Sequence, residues 1–188
     1  MTVTDDTRAL GRLLDDVASA SAAPAGGTAA TVTGALGTAL CEMVCLHGNE
    51  AGTLADVRAD LRVARDHLTD LAAADASVVD DLFASAGDPS EAGRKRAVGV
   101  PLTTAAACLT ALELAVEATE RGTPPTVADA ATGVLLIDAA LRASLRTARH
   151  NLSWVADPRF VAGIEERAAR IDASADDARH RALEHADR

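Results

Sequence analysis

The sequence predicts an all-α fold, a single domain over residues 1–188 built as a bundle of about six helices. Three observations carry this expectation. Apolar residues recur at three- and four-residue steps along most of the chain, and no short run flanked by turn signals reads as a strand. Hydrophobic residues make up 48% of the chain but aromatic ones only 2%, so the core must be built from Ala, Leu and Val, small side chains that suit closely packed helices. The length is that of one domain, with no internal repeat or low-complexity linker to divide it.

The first helix is expected at about 6–20, with Leu10, Leu13, Leu14 and Val17 on one stripe, and "SASAAPAGG" breaks it. A second runs from Thr28 to about His47. It is too rich in small residues all round to be amphipathic, and is therefore expected as a central helix surrounded by others. A membrane-spanning reading is weighed against by its marginal length, by Glu42 and by the lack of flanking cations. The third helix, about 53–86, carries the clearest stripe: Leu54, Val57, Leu61, Ala64, Leu68, Leu71, Val78 and Leu82, with one step filled by Asp75. "SAGDPSEAG" ends it, and Asp88-Pro89 reads as a cap and first-turn pair for the next helix. That fourth helix carries Leu102, Ala105, Leu109, Leu112 and Val116, with Pro101 expected to kink or break it. After "ERGTPPT" a fifth helix is expected over 126–155. A sixth starts at Asp157-Pro158, with Phe160, Ile164 and Ile171 on its apolar side and a charged tail expected to fray.

A formal net charge of −10 and a pI near 4.8 argue against nucleic-acid or anionic-membrane partners, which rely on clustered cations. Lys95 is the only lysine among 18 basic residues, a bias that fits either a salt-rich cytoplasm or a GC-rich genome. The start, "MTVTDDTRALGRLLDD", lacks the basic and apolar regions of a secretory signal. Cys41, Cys45 and Cys108 are an odd number, unsuited to a paired framework, and read as small buried hydrophobes rather than metal ligands. The expected compartment is the reducing cytoplasm.

Few residues stand out as chemically capable. Asp75 interrupts an apolar stripe, so its carboxylate is either hydrogen-bonded, paired or protonated in a site, or sits at a wet edge where the stripe widens. Asp129 is the last acid before eight uncharged residues, either a helix-start acid favoured by the dipole or a carboxylate at the mouth of a pocket. Arg142, Arg146 and Arg149 form a cationic stripe, read as a salt-bridged surface or as a receiver for an acidic ligand tail. Gly26 and Gly27 before Thr28 permit a tight turn, and the amides of the helix start they open can hold an anion or a polar ring edge. His47, near a helix end, is read as a cap-like neighbour or as an acid or base near neutrality. There is no GxSxG, P-loop, paired metal motif or dinucleotide fingerprint.

Taken together, these residues resemble the cyclodeaminase/cyclohydrolase family. Pro24-Ala25-Gly26-Gly27-Thr28 and "GALGTAL" match its Pro-Gly-Gly-Gly-Ser entry to a small-residue helix. Asp75 matches an acid in the third helix, Val100-Pro101 a pair inside the fourth, and Gly122 with Ala128-Asp129 a glycine leading to a Ser-Asp pair. Asn151-Leu152 and the turn from Asp157 to Phe160 match the family's tail. Ala25, Thr28, the loop "GTPPTVAD" and Thr147 depart from it.

The resemblance implies a helical homodimer that handles a tetrahydrofolate derivative as substrate, with no metal or cofactor. The reaction would be hydrolysis of 5,10-methenyltetrahydrofolate to 10-formyltetrahydrofolate or cyclodeamination of the 5-formimino form. It implies Asp129 as acid/base and Asp75 as a second acid positioning water or the pterin. Gly26, Gly27, Thr28 and Asn151 would contact the folate, and Arg142, Arg146 or Arg149 its glutamate tail. Beside this stands a non-catalytic folate-binding or protein-interaction module. Asp75 and Asp129 are expected to converge beside the Gly26-Gly27 turn.

Overall fold

The computed structural model describes residues 3–47, 54–84 and 88–186, and every regular element among them is helical. Six α-helices, α1 (Val3–Val17), α2 (Gly26–Leu46), α3 (Ala55–Ala84), α4 (Glu91–Arg121), α5 (Val127–Asn151) and α6 (Pro158–Ala186), are joined by short connections, with one 3-10 turn at Leu152–Trp154. The expected ends of the third helix at 53 and 85–86 lie outside the described residues.

Helices α2 to α6 form an up-and-down bundle, each antiparallel to the next in sequence except that α5 also lies antiparallel against α2. The register follows from named contacts: Thr28 meets Asp75 and Glu42 meets Arg65 between α2 and α3, while Gly37 meets Gly133 between α2 and α5. Antiparallel neighbours follow from short connections. The α3 stripe is buried from Leu54 through Val78, with Leu61 and Leu68 fully enclosed against α2 and α4. Alanines fill much of the interface between α4, α5 and α6, for example Ala111, Ala115, Ala148, Ala175 and Ala178, all fully or nearly fully buried, which lets these helices approach closely.

Five expectations are corrected. Helix α1 stands apart: among the described residues no other helix packs extensively against it, and its Leu10 and Leu14 are more than half exposed, so the described bundle is made by α2 to α6. Helix α2 is not enclosed on all sides within one chain. It buries one side against α3, α4 and α5 and leaves the side carrying Ala29, Val32, Leu36, Leu40 and Met43 open, with Leu36 59% exposed. Helix α4 starts at Glu91 because Ser90, not Asp88, caps it by accepting the Gly93 amide at 3.1 Å. It also runs unbroken through the buried Pro101. Finally, α6 stays helical to Ala186, because Ala168, Ile171, Ala175, Ala178 and Ala182 keep one stripe against the bundle.

By length and composition α2 and α4 could each cross a membrane, yet half of each such stretch is buried in this bundle. The one charge on α2, Glu42, is itself buried and paired with Arg65 of α3.

Candidate active site

The start of α2 makes the most chemically loaded spot in the chain. Helix α2 opens at Gly26 on Ala25, which supplies no side-chain cap, and no acid occupies its first turn, so its leading amides lack the usual local partner. The partner comes from α3. The Thr28 hydroxyl donates to Asp75 Oδ2 at 2.9 Å, and the Thr28 backbone N–H donates to the same carboxyl. Gly27 is what lets the acid in, since a Cβ there would fall on the Asp75 carboxylate. Of the two readings of Asp75, the wet edge is thereby excluded: the residue is 7% exposed.

Burial pushes the Asp75 carboxyl above the ordinary aspartate range, and the two Thr28 hydrogen bonds hold back part of that rise. A carboxyl so placed keeps a proton closer to neutrality than a surface aspartate does, which is what a proton donor requires.

Two residues missed by sequence reasoning extend the site. Thr31, one turn further along α2, donates to the Gly27 carbonyl at 2.8 Å, and its oxygen lies 3.5 Å from that of Thr104 on α4. Both threonines are buried. Thr104 sits between the apolar positions Leu102 and Ala105, and only its polar neighbour across the helices marks it out.

The other candidates do not gather here. Asp129 is exposed in the first turn of α5 and makes no side-chain hydrogen bond or ion pair among the described residues. Its neighbour Ala130 presents its carbonyl to Cys41 Sγ at 3.9 Å, fourteen residues along α2 from Gly27. At 1.5 Å per residue that places the two acids on the order of 20 Å apart within one chain. The expected convergence of Asp75 and Asp129 is therefore corrected: antiparallel packing of α5 on α2 sends them to opposite ends.

The arginine stripe is largely taken up by acids. Arg142 pairs with Asp138 and Asp172 at 3.0 Å each and with Asp176 at 2.6 Å, and Arg149 with Asp172 at 3.4 Å and Glu165 at 3.6 Å. Hydrogen bonds from Arg142 to Asp138 lead the effects that raise its pKa. These two seal α6 onto α5, the salt-bridged surface of the two readings, while Arg146 is exposed. Asn151 gives its amide to the Ala97 carbonyl at 2.8 Å, tying the end of α5 to α4. His47 is exposed at the end of α2 with Nδ1 3.0 Å from the Met43 carbonyl, a cap-like neighbour. Lys95 joins Asp157 at 2.8 Å and lies 5.1 Å above the Phe160 ring, which pins the start of α6. The described residues hold no cluster of His, Cys, Asp or Glu fit for a metal ion.

A hollow of about 500 Å³ lies elsewhere, between Leu82, Pro89, Arg94 and Trp154. It adjoins the α3–α4 connection and includes none of the polar groups around Asp75.

Comparison with known proteins gives this geometry a context. The pattern of the family described as formiminotransferase-cyclodeaminase matches residues 9–170. The chain is similar to a methenyltetrahydrofolate cyclohydrolase of Methylorubrum extorquens, 30% identical over 179 residues, covering 85% of each chain. Its fold is similar to the crystal structure of formiminotetrahydrofolate cyclodeaminase from Thermotoga maritima, with a TM-score of 0.84 over 93% of each chain at 21% identity. On the family pattern and the relative together, this chain belongs to the formiminotransferase-cyclodeaminase family.

Proposed function

We propose that the chain is an enzyme of one-carbon folate metabolism that hydrolyses 5,10-methenyltetrahydrofolate to 10-formyltetrahydrofolate. The observation that carries this reading is the buried Asp75 carboxyl, held over Gly27 and hydrogen-bonded by Thr28. The similarity to a cyclohydrolase across 85% of both chains supports it. In the reaction, water adds its oxygen to the cationic bridging carbon and gives up one proton. As the bond from that carbon to N5 breaks, the remaining hydroxyl proton leaves and the C=O forms, N5 takes a proton, the formyl group stays on N10, and one proton is released overall. A positioned carboxyl whose burial raises its pKa can relay these protons, typically for some 10²–10⁴-fold in rate. The α2 amides and the Thr31–Thr104 pair are polar groups for the rim of the pterin.

The working form in this reading is a homodimer in the cytoplasm. The open apolar side of α2 and the three free thiols support those two elements respectively. The test is direct. Purified protein supplied with methenyltetrahydrofolate should bleach its near-ultraviolet band faster than buffer does, and 5-formiminotetrahydrofolate should release ammonia more slowly than this, if at all. Ammonia release without hydrolysis would assign the cyclodeaminase reaction instead. An unchanged rate with both, alongside a folate-dependent change in Trp154 fluorescence, would leave a binder without catalysis.

A further inference from the structure

The hollow beside Trp154 stands in a fixed relation to the Asp75 site. Helix α2 begins at Gly26, and its Gly27 is level with Asp75, whereas α3 runs on to Ala84. Leu82 is two turns beyond Asp75, so it lies on the same side of α3, about 10 Å further on. Helix α4, parallel to α2, overshoots it in the same direction. Thr104 is level with Thr31, and Arg94, ten residues before Thr104, comes about 9 Å past Gly27. From α5, Asn151 meets Ala97, and the 3-10 turn that follows takes Trp154 about 6 Å further, to the same height. Leu82, Arg94 and Trp154 are thus three walls of one overhang about 10 Å beyond Asp75, and the hollow of about 500 Å³ lies between them.

The walls are of two kinds. Leu82, Pro89 and Trp154 are apolar, and Trp154, the chain's only tryptophan, leaves 42% of its surface open. An open indole beside aliphatic side chains suits a flat ring. The cation among the lining residues is Arg94, whose guanidinium donates to the Trp154 carbonyl at 3.2 Å and to the Asp88 carboxylate. The Asp88 side chain is 86% exposed, and an ion pair so open to solvent contributes little. A ligand carboxylate can therefore replace Asp88 on a guanidinium that the Trp154 carbonyl already orients.

We infer that this hollow binds the aminobenzoyl-glutamate arm of the folate, with the benzoyl ring on Trp154, Leu82 and Pro89 and a glutamate carboxylate on Arg94. This deepens the folate reading above and rests on it. The reacting carbon joins N5 to N10, and N10 carries the arm. From N10 the aryl amide reaches the glutamate carboxylates in roughly 10 Å at ordinary bond lengths, which is the height of Arg94 over Asp75. The volume is that of a site for a ligand of this size. The arm also finds a cation here, whereas Arg142 and Arg149 are taken up by acids of α5 and α6.

Titrating the intact chain with p-aminobenzoylglutamate, the arm without the pterin, decides this. Calorimetry should show saturable binding with a dissociation constant on the order of 0.1 mM, usual for a fragment of this size, together with a change in Trp154 emission. Arg94→Met should weaken that binding about tenfold and raise KM for methenyltetrahydrofolate by a similar factor, with kcat within about twofold. Asp88→Asn breaks the same ion pair but leaves the cation, and should bind the arm at least as tightly as wild type. No saturable binding by wild type, equal binding by Arg94→Met, or an equal loss in Asp88→Asn would overturn the inference. Hydrolysis without binding of the arm would strike this site and leave the folate reaction in place; binding of the arm without hydrolysis would keep the site and strike the reaction.

Discussion

The carboxylate of Asp75 lies in the space where Gly27 would carry a side chain. Gly27→Ala should therefore displace the acid, costing about 1–3 kcal/mol as overpacking usually does, and should lower the rate with it. Removing the carboxylate as well relieves the conflict. Gly27→Ala/Asp75→Ala should be more stable than the sum of its single variants, because the new methyl then finds room and alanine favours the helix by up to about 1 kcal/mol. Denaturant titration of the four proteins measures the coupling, and simple additivity would show that the two positions do not share this space.

Asp75 also sets a pH dependence. Burial raises its folded pKa above the unfolded value, so the protonated form is the one the fold favours. Its contribution is full below the unfolded pKa and is lost as pH rises through the folded one. Asp75→Asn, which mimics the protonated acid, should therefore match wild type in stability below the ordinary aspartate pKa and exceed it as pH rises above that value, levelling off once the folded carboxyl is ionised. Melting temperatures across that range check this; an advantage that shrinks with rising pH would contradict it.

The arginine seam makes a different prediction. Arg142 holds three acids across α5 and α6 but is 38% exposed, so each pair is worth only a few tenths of a kcal/mol to about 1 kcal/mol. Arg142→Met should cost about 1–2 kcal/mol in total, with most of the difference gone in 1 M salt. Its KM should stay the same for folates with one or several glutamates. A KM that rises with tail length would return Arg142 to the substrate.

The thiols should be inert. Burial pushes Cys41 and Cys108 up to about 12, and Cys45, with Glu42 nearby, up to about 11. At pH 8 almost none is thiolate, the reactive form. Native protein should consume almost no thiol reagent over minutes, and denatured protein three equivalents. Rapid reaction of any one thiol in the native state would place it at a functional surface.

Much of this was legible in the chain itself. The α3 stripe follows from spacing alone because each of its positions has a neighbour to bury against, and Asp75 stood out by sharing that stripe. That Asp75 meets the α2 start followed from the family resemblance and not from local pattern, and of the expected convergence there only the Asp75 half is found, in its contact with Thr28. Other features were not legible. Asp88-Pro89 carries a strong local start signal, yet Arg94 claims the Asp88 carboxylate and Ser90 takes the cap. Pro101 lies within a helix whose buried surroundings outweigh the lost hydrogen bond. The separation of Asp75 from Asp129 depends on which way α5 runs along α2, a property of the packed whole that no local spacing encodes.

Between α2 and α5, Gly37 and Gly133 face each other so closely that a Cβ on either would strike the other's carbonyl oxygen, at 2.6 and 2.7 Å. Glycine in mid-helix is commonly taken as a point of give. Here it does the opposite: without side chains between them two main chains lie in direct contact, and sliding one along the other by a residue would drive a methyl group into backbone. The pair thus fixes the register of α5 on α2, and with it the span of about 20 Å between the Gly27 end and the Asp129 end.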